Sequence, residues 1–153
     1  MPKSQVVRIK LLHPAAQKPV FGSALAAGAD VHSVTETVIM PGASAVIETG
    51  LAFELPEGYM IEAVGRSGLG FKFGIRLANC IGVIDQDYTG ELKLKLVNDG
   101  NAPFKVEVGD RIGQILLREY TQMQFEEVSE ISETARGSGG FGSSGGSAHL
   151  AAH

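Results

Sequence analysis

ELKLKLVN, residues 91–98, is the stretch that decides the fold. Leu92, Leu94 and Leu96 alternate with Lys93 and Lys95, so one side is apolar and the other charged. That period of two is the pattern of a strand half-buried in a sheet. The run ends in Asn98-Asp99-Gly100-Asn101, a turn signal, and FKVEV (104–108) and RIGQILLREY (111–120) follow as further strands. Upstream, VVRIKLL (6–12) reads as an opening strand. Between Thr37 and Val64 the runs TVIM, SAVIET, LAFEL and YMIEAV are broken at Pro41-Gly42, Gly50 and Pro56-Glu57-Gly58. Short strands at this spacing predict an all-β antiparallel sandwich or barrel rather than alternating βα units. One short helix is predicted where Ser67-Gly68-Leu69 could open it.

The chain has 153 residues, enough for one domain with a real core. Its 20 glycines are about 13% of the sequence, against an ordinary usage of about 7%. They lack the period of three that collagen requires, and each would cost about 1 kcal/mol inside a helix. Six of them fall in GSGGFGSSGG (137–146), where the composition shifts and little remains to bury except Phe141. The division expected is a β core over 1–134 and a mobile glycine- and serine-rich arm and tail over 135–153.

Net charge is −4, which argues against a nonspecific nucleic-acid binder but not against an anionic small substrate met by local cations. A lone cysteine, Cys80, precludes an intrachain disulfide and a cysteine-based zinc cluster, and in its apolar surroundings it is expected to be packed. There is no run of 18 apolar residues and no signal-peptide pattern, so no membrane association is expected and the cytoplasm is the default compartment.

Several segments carry chemistry. VGRSGLGFKFG (64–74) has the glycine spacing of a phosphate loop, yet Phe71 stands where the lysine belongs, and Phe73 breaks the dinucleotide fingerprint. Arg66, Ser67 and backbone N–H groups at a helix start could bind an anion, or the stretch could be an ordinary turn with a capping serine. GVIDQDYTGE (82–91) reads as a hairpin with Asp85, Asp87 and Tyr88 near its bend. Asp85 there either stabilises the turn or polarises a water beside a ring that packs on substrate. GDRIGQI (109–115) and AAGADVHS (26–33) carry Arg111, Gln114 and Asp30, each compatible with a plain turn. The arm RGSGGFGSSG (136–145) joins a cation, an aromatic ring and serines to glycines whose N–H groups can converge on phosphate oxygens. His149 and His153 have an i, i+4 spacing without a third ligand, and His13 and His32 stand alone.

In this order, AGADVHS, GRSGLG, GVIDQDYTGE, GDRIGQI and RGSGGFGSSG resemble the five motifs of the homotrimeric dUTP pyrophosphatases, the dUTPases, over Ala27–Gly145. The resemblance implies a β jelly-roll subunit and a homotrimer. Each site would take the hairpin of one subunit, the phosphate motifs of a second and the arm of a third. It implies hydrolysis of dUTP to dUMP and pyrophosphate by water attack on the α-phosphate, with Mg2+ bridging the phosphates. That reaction would limit uracil in DNA and supply dUMP for thymidylate synthesis. It assigns Asp85 to the attacking water and the 3′-hydroxyl, Tyr88 to the sugar, and Asn79 with the hairpin positions Val83 and Lys93 to the nucleoside. Arg66, Ser67, Gly68 and Gln114 match phosphate- and water-positioning residues. Asp30 matches an acid associated with the metal through water, and Arg111 a brace. In the arm, Arg136 matches the phosphate-binding arginine, Phe141 the lid over uracil, and Gly142, Ser143 and Ser144 the terminal-phosphate contacts. Gly65 stands where the family often has proline, and Ser144 where threonine is common.

Two other functions compete at this level. A dCTP deaminase shares the resembled fold, although the complete hairpin and the Phe-bearing arm match the pyrophosphatase. A trimer that binds nucleotide and signals to a protein partner is the non-enzymatic alternative.

Overall fold

The computed structural model describes residues 4–140. Its contacts divide the chain into Met1–Thr121 and Gln122–His153. The first unit contains every described strand and the helix: β1 (Arg8–Leu11), β2 (Val20–Phe21), β3 (Ala29–His32), β4 (Thr37–Ile39), β5 (Ser44–Glu48), β6 (Leu51–Glu54), β7 (Tyr59–Val64), α1 (Ser67–Phe73), β8 (Ile75–Leu77), β9 (Ile81–Ile84), β10 (Lys93–Asn98), β11 (Phe104–Val106) and β12 (Arg111–Glu119). All pairings among the described residues are antiparallel, and the first unit is a jelly roll.

The leucine comb organises the core as its period requires. Leu92, Leu94 and Leu96 are 3%, 3% and 1% exposed, while Lys93 and Lys95 face solvent. β10 lies between β5 and β8. Facing it is a five-stranded sheet in the order β2-β3-β12-β7-β9. Val31, Ile61, Ile112 and Ile115 of that sheet join Ile47, Leu77, Leu94 and Leu96 in one apolar cluster. Fully burying an aliphatic side chain of this kind contributes about 1.5–3 kcal/mol.

Three local expectations change. The segment 82–91 bends as expected, but its flanks do not pair with each other: β9 pairs with β7, and β10 with β5 and β8. The two arms of the bend enter different sheets, because β10's leucines pack inside the core while β9 extends the edge of the facing sheet. Cys80 is exposed rather than packed. It sits at φ +60 in the tight turn between β8 and β9, which swings its side chain away from the core. Ser67 does not cap the helix. Arg66 occupies that position in extended conformation, and no side-chain capping hydrogen bond forms. Residues 29–32, which follow the small-residue turn, are a strand buried along its whole length.

In the second unit, residues 122–140 carry no strand or helix. Its described part includes a turn in which the Gly137 N–H donates to the Thr134 carbonyl (3.0 Å) and the Gly139 N–H to the Arg136 carbonyl (3.1 Å).

The turn after β10 sets the end of α1. Buried Asn98 donates from Nδ2 to the Ile39 and Ala102 carbonyls (2.8 Å each) and accepts the Gly100 N–H at 2.9 Å. This draws Gly100 against the helix end, where an added Cβ would collide with the Phe73 carbonyl oxygen. A backbone atom cannot swing aside, so Gly100→Ala should lower stability by about 1–3 kcal/mol. Gly22→Ala, with nothing within 4 Å of the new carbon, should stay within about 0.5 kcal/mol of the parent. Urea unfolding of both variants checks the pair.

Candidate active site

Separation of β9 from β10 leaves a cavity of about 520 Å³ between them. Its apolar floor includes Ala63, Leu77, Gly82, Leu92 and Leu94, and its rim carries Asn79, Val83, Asp85, Tyr88 and Lys93. The volume lies within the usual range for a small-molecule site, about 300–1,000 Å³. β9 is the last strand of its sheet, so its outer edge offers unpaired N–H and C=O groups to this space. Gly82 keeps the space open, because a Cβ there would lie 3.3 Å from the Ala63 methyl and 3.5 Å from Asn79 Nδ2.

Tyr88 is held over the bend. Its hydroxyl donates to the Glu91 carbonyl at 2.9 Å, and its N–H to the Asp85 carbonyl at 3.1 Å. The folded-back ring occupies the place of a side chain at residue 90, since a Cβ on Gly90 would lie 2.6 Å from the Tyr88 hydroxyl. Lys93 is tied down by Glu48 (2.6 Å) and Glu91 (3.3 Å), whose carboxylates raise its pKa. Glu91 in turn accepts the Gly50 N–H at 2.8 Å.

A second cluster forms around Asp30 on β3. One oxygen accepts from Arg66 Nε (3.0 Å) and Gln114 Nε2 (3.0 Å), and the other from Arg111 (3.2 Å). The strand register makes this possible: Asp30 lies opposite Gln114, and an irregularity between Arg111 and Gly113 re-aims the start of β12. Asp30 is 4% exposed. Burial works to raise its pKa, but the Gln114 hydrogen bond, the Arg66 charge and the bonds from Arg66 and Arg111 outweigh it and hold the carboxyl below its ordinary 3.8. Arg66 also donates to the Arg111 carbonyl at 3.4 Å. Ser67 and Gly68 follow it, exposed, at the first positions of α1, whose N–H groups have no intrahelical acceptor.

His32, two residues along β3, shares the face of Asp30. It is buried, and its Nδ1 has no hydrogen-bond partner among the described residues. Burial lowers its pKa, Asp30 partly restores it, and Arg111 and Arg66 push it down again. The sequence offered no signal for His32 beyond that i, i+2 spacing. Gln86, Glu91 and Tyr120 also fall outside the sequence reading, because only tertiary pairing gives them partners.

Cavity floor and Asp30 cluster lie on opposite faces of the five-stranded sheet. Asp30, Gln114 and Val64 are aligned across β3, β12 and β7, whereas the neighbouring row joins Ala63 to Gly82. Aligned residues share a face and adjacent rows alternate. Among the expected residues, Asn79, Val83, Asp85, Tyr88 and Lys93 gather at the cavity, and Asp30, Arg66, Arg111 and Gln114 gather at the carboxylate. Arg136 belongs to the second unit, where its Nε donates to the Gly139 carbonyl at 2.8 Å. Phe141, Gly142, Ser143 and Ser144, with His149 and His153, lie outside the described residues. No three His, Cys, Asp or Glu side chains converge on a metal position among the described residues. Nor is any helix among them long and apolar enough to cross a membrane.

The family model described as dUTPase matches residues 15–145. The deoxyuridine 5′-triphosphate nucleotidohydrolase of Nautilia profundicola is 44% identical over 139 residues, covering 91% of this chain and 98% of its own. That of Wolinella succinogenes is 43% identical over 143 residues, covering 94% and 96%. Among solved structures, the dUTPase of Staphylococcus bacteriophage 80alpha with dUpNHpp aligns with a TM-score of 0.86 at 28% identity, over 93% of this chain and 99% of that one.

The two shifts give stability a defined acid limb. His32 resists protonation in the folded state, so its contribution is complete above its unfolded value of 6.5 and declines as pH falls below that. Asp30 contributes above 3.8, and that share is lost as pH falls through its lowered folded value. Unfolding free energy measured against pH should therefore decline in both windows. His32→Phe should flatten the upper window, and Asp30→Asn the lower one.

Proposed function

The chain belongs to the dUTPase family, and from that premise we propose how it acts. It hydrolyses dUTP to dUMP and pyrophosphate. The observation that carries the mechanism is the cavity opened by the parting of β9 and β10, with Asn79, Asp85 and Tyr88 on its rim.

A strand edge presents alternating N–H and C=O groups, and uracil presents the complementary imide edge. The free edge of β9 and the Asn79 amide therefore read the base. An amino group at the 4-position of cytosine would meet a donor with a donor, and a site built on hydrogen bonds rejects such a mismatch strongly. The narrow space between Gly82, Ala63 and Asn79 leaves little room for a 5-methyl group. The Tyr88 ring packs on the sugar and excludes a 2′-hydroxyl.

Asp85 orients a water at the α-phosphorus and takes its proton as the water oxygen bonds to phosphorus. The bond from that phosphorus to the α–β bridging oxygen breaks, and pyrophosphate leaves. Arg66, the N–H groups of Ser67 and Gly68, and Arg136 offset the charge that develops on the phosphates. Gln114 and Asp30 hold Arg66 in place, and Arg111 braces the same carboxylate. Phe141 closes over the base, and Gly142, Ser143 and Ser144 bind the terminal phosphate.

The donor set of the described residues does not fit a direct metal site, because no three carboxylate, His or Cys side chains converge and both Asp30 oxygens already accept hydrogen bonds. A Mg2+ ion carried by the triphosphate would supply charge neutralisation there, and Asp30 would be the residue to hold it, through water. Since the cavity floor and the cationic cluster face away from each other across one sheet, a single nucleotide uses the cavity of one subunit and the cluster of another. A homotrimer whose third subunit lends the arm meets that requirement.

Pyrophosphate release from a panel of dUTP, dTTP, dCTP and UTP with Mg2+ tests the reading. Turnover should be confined to dUTP, and ammonia from dCTP would sink it. Asp85→Asn should retain dUTP binding while kcat falls by about 10²–10⁴.

A further inference from the structure

We propose that Gln86 is a positioning residue, which clamps the Asp85–Tyr88 bend to the body of the subunit through its side-chain oxygen; its effect on turnover rests on the dUTP hydrolysis proposed above. Asp85 is exposed at the cavity rim, while Gln86, the next residue, is half-buried and lies outside the cavity lining. Its Oε1 accepts the Gly58 N–H at 2.9 Å and the Tyr120 hydroxyl at 3.2 Å. The Tyr120 N–H donates to the Gly58 carbonyl at 3.1 Å, which closes a ring of three hydrogen bonds among Gln86, Gly58 and Tyr120.

The ring sits where β7 begins and β12 ends, strands already paired there through Tyr59 and Glu119. Gly58 holds φ +78 at this turn, so its N–H is aimed by a backbone conformation that other residues rarely adopt. The other hydrogen bonds of residues 85–88 run from Tyr88 to the Asp85 and Glu91 carbonyls, and Glu91, at the far end, is itself tied to the Gly50 N–H. Gln86 therefore fixes where the Asp85 end of the bend stands relative to the sheet. A carboxylate displaced by about 1 Å from its water can cost about 10²-fold in rate, and loss of one clamp should produce part of that.

Among the described residues only the oxygen of the Gln86 amide is used, and both of its partners are donors. Glutamate should therefore replace glutamine, whereas leucine of similar size should not.

Hydrogen–deuterium exchange and dUTP kinetics on the full chain test this with Gln86→Leu, Gln86→Glu and Tyr120→Phe. In Gln86→Leu the Tyr88 amide should exchange roughly tenfold faster. In the same variant kcat should fall about tenfold, with KM changed less than about twofold. Gln86→Glu should restore both values, and Tyr120→Phe, which removes one of the two donors, should fall between. Wild-type exchange and kcat in Gln86→Leu would overturn the clamp, as would a glutamate variant as impaired as the leucine one. If the parent protein turned over no dUTP, the proposed activity would fail, and the exchange comparison would still decide whether Gln86 holds the bend.

Discussion

A buried carboxylate that receives two arginines and an amide is the constraint from which the rest of the site follows. Asp30 cannot sit ionised at 4% exposure without partners, and the guanidinium groups of Arg66 and Arg111 would repel each other without it. Satisfying all three donors fixes several things together. β3 must lie beside β12 in the register that sets Asp30 opposite Gln114. The start of β12 must shift so that Arg111 reaches across. Arg66 must leave β7 in extended conformation, which determines where α1 begins. The arginine cluster at the start of α1 is in this sense a by-product of neutralising one charge.

The second constraint is the leucine comb of β10. By filling the core it draws β10 between β5 and β8, away from β9, and the bend between the two strands becomes the mouth of a cavity. Cavity floor and cation cluster then lie on opposite faces of a sheet that both depend on. In the proposed function, this arrangement makes the active site a property of the assembly. It also explains how an acidic chain can take a polyanion, since the positive groups are gathered locally around one carboxylate while the excess negative charge lies elsewhere.

Much of this was legible in the sequence because its signals were local. Alternation in 91–98 gave both the strand and its buried face, and Pro-Gly and Gly breaks separated the neighbouring strands. The positions of Asp30, Arg66, Asp85, Tyr88 and Gln114 could be named from their motifs. What could not be read was pairing. GVIDQDYTGE has the composition of a closed hairpin, and nothing within ten residues reveals that its two arms enter different sheets. Residues 29–32 are short and follow a run of alanine and glycine, so their burial came only with β12. Cys80 follows the same rule: its neighbours are apolar, but a positive φ at a tight turn sends its side chain outward. The ring joining Gln86, Gly58 and Tyr120 spans residues 58 to 120, beyond the reach of any motif.

The central claim of the proposed function is that one site takes its cavity and its arginine cluster from different chains, and subunit mixing tests it directly. Asp85→Asn and Arg66→Ala are each expected to be inactive as pure proteins. Co-expressed in equal amounts, they should form trimers in which about a quarter of the interfaces join an intact Asp85 to an intact Arg66 from another chain. Recovery of about that fraction of wild-type pyrophosphate release is the result expected. No recovery from verified mixed trimers would contradict the account, because it would mean that both groups must come from the same chain.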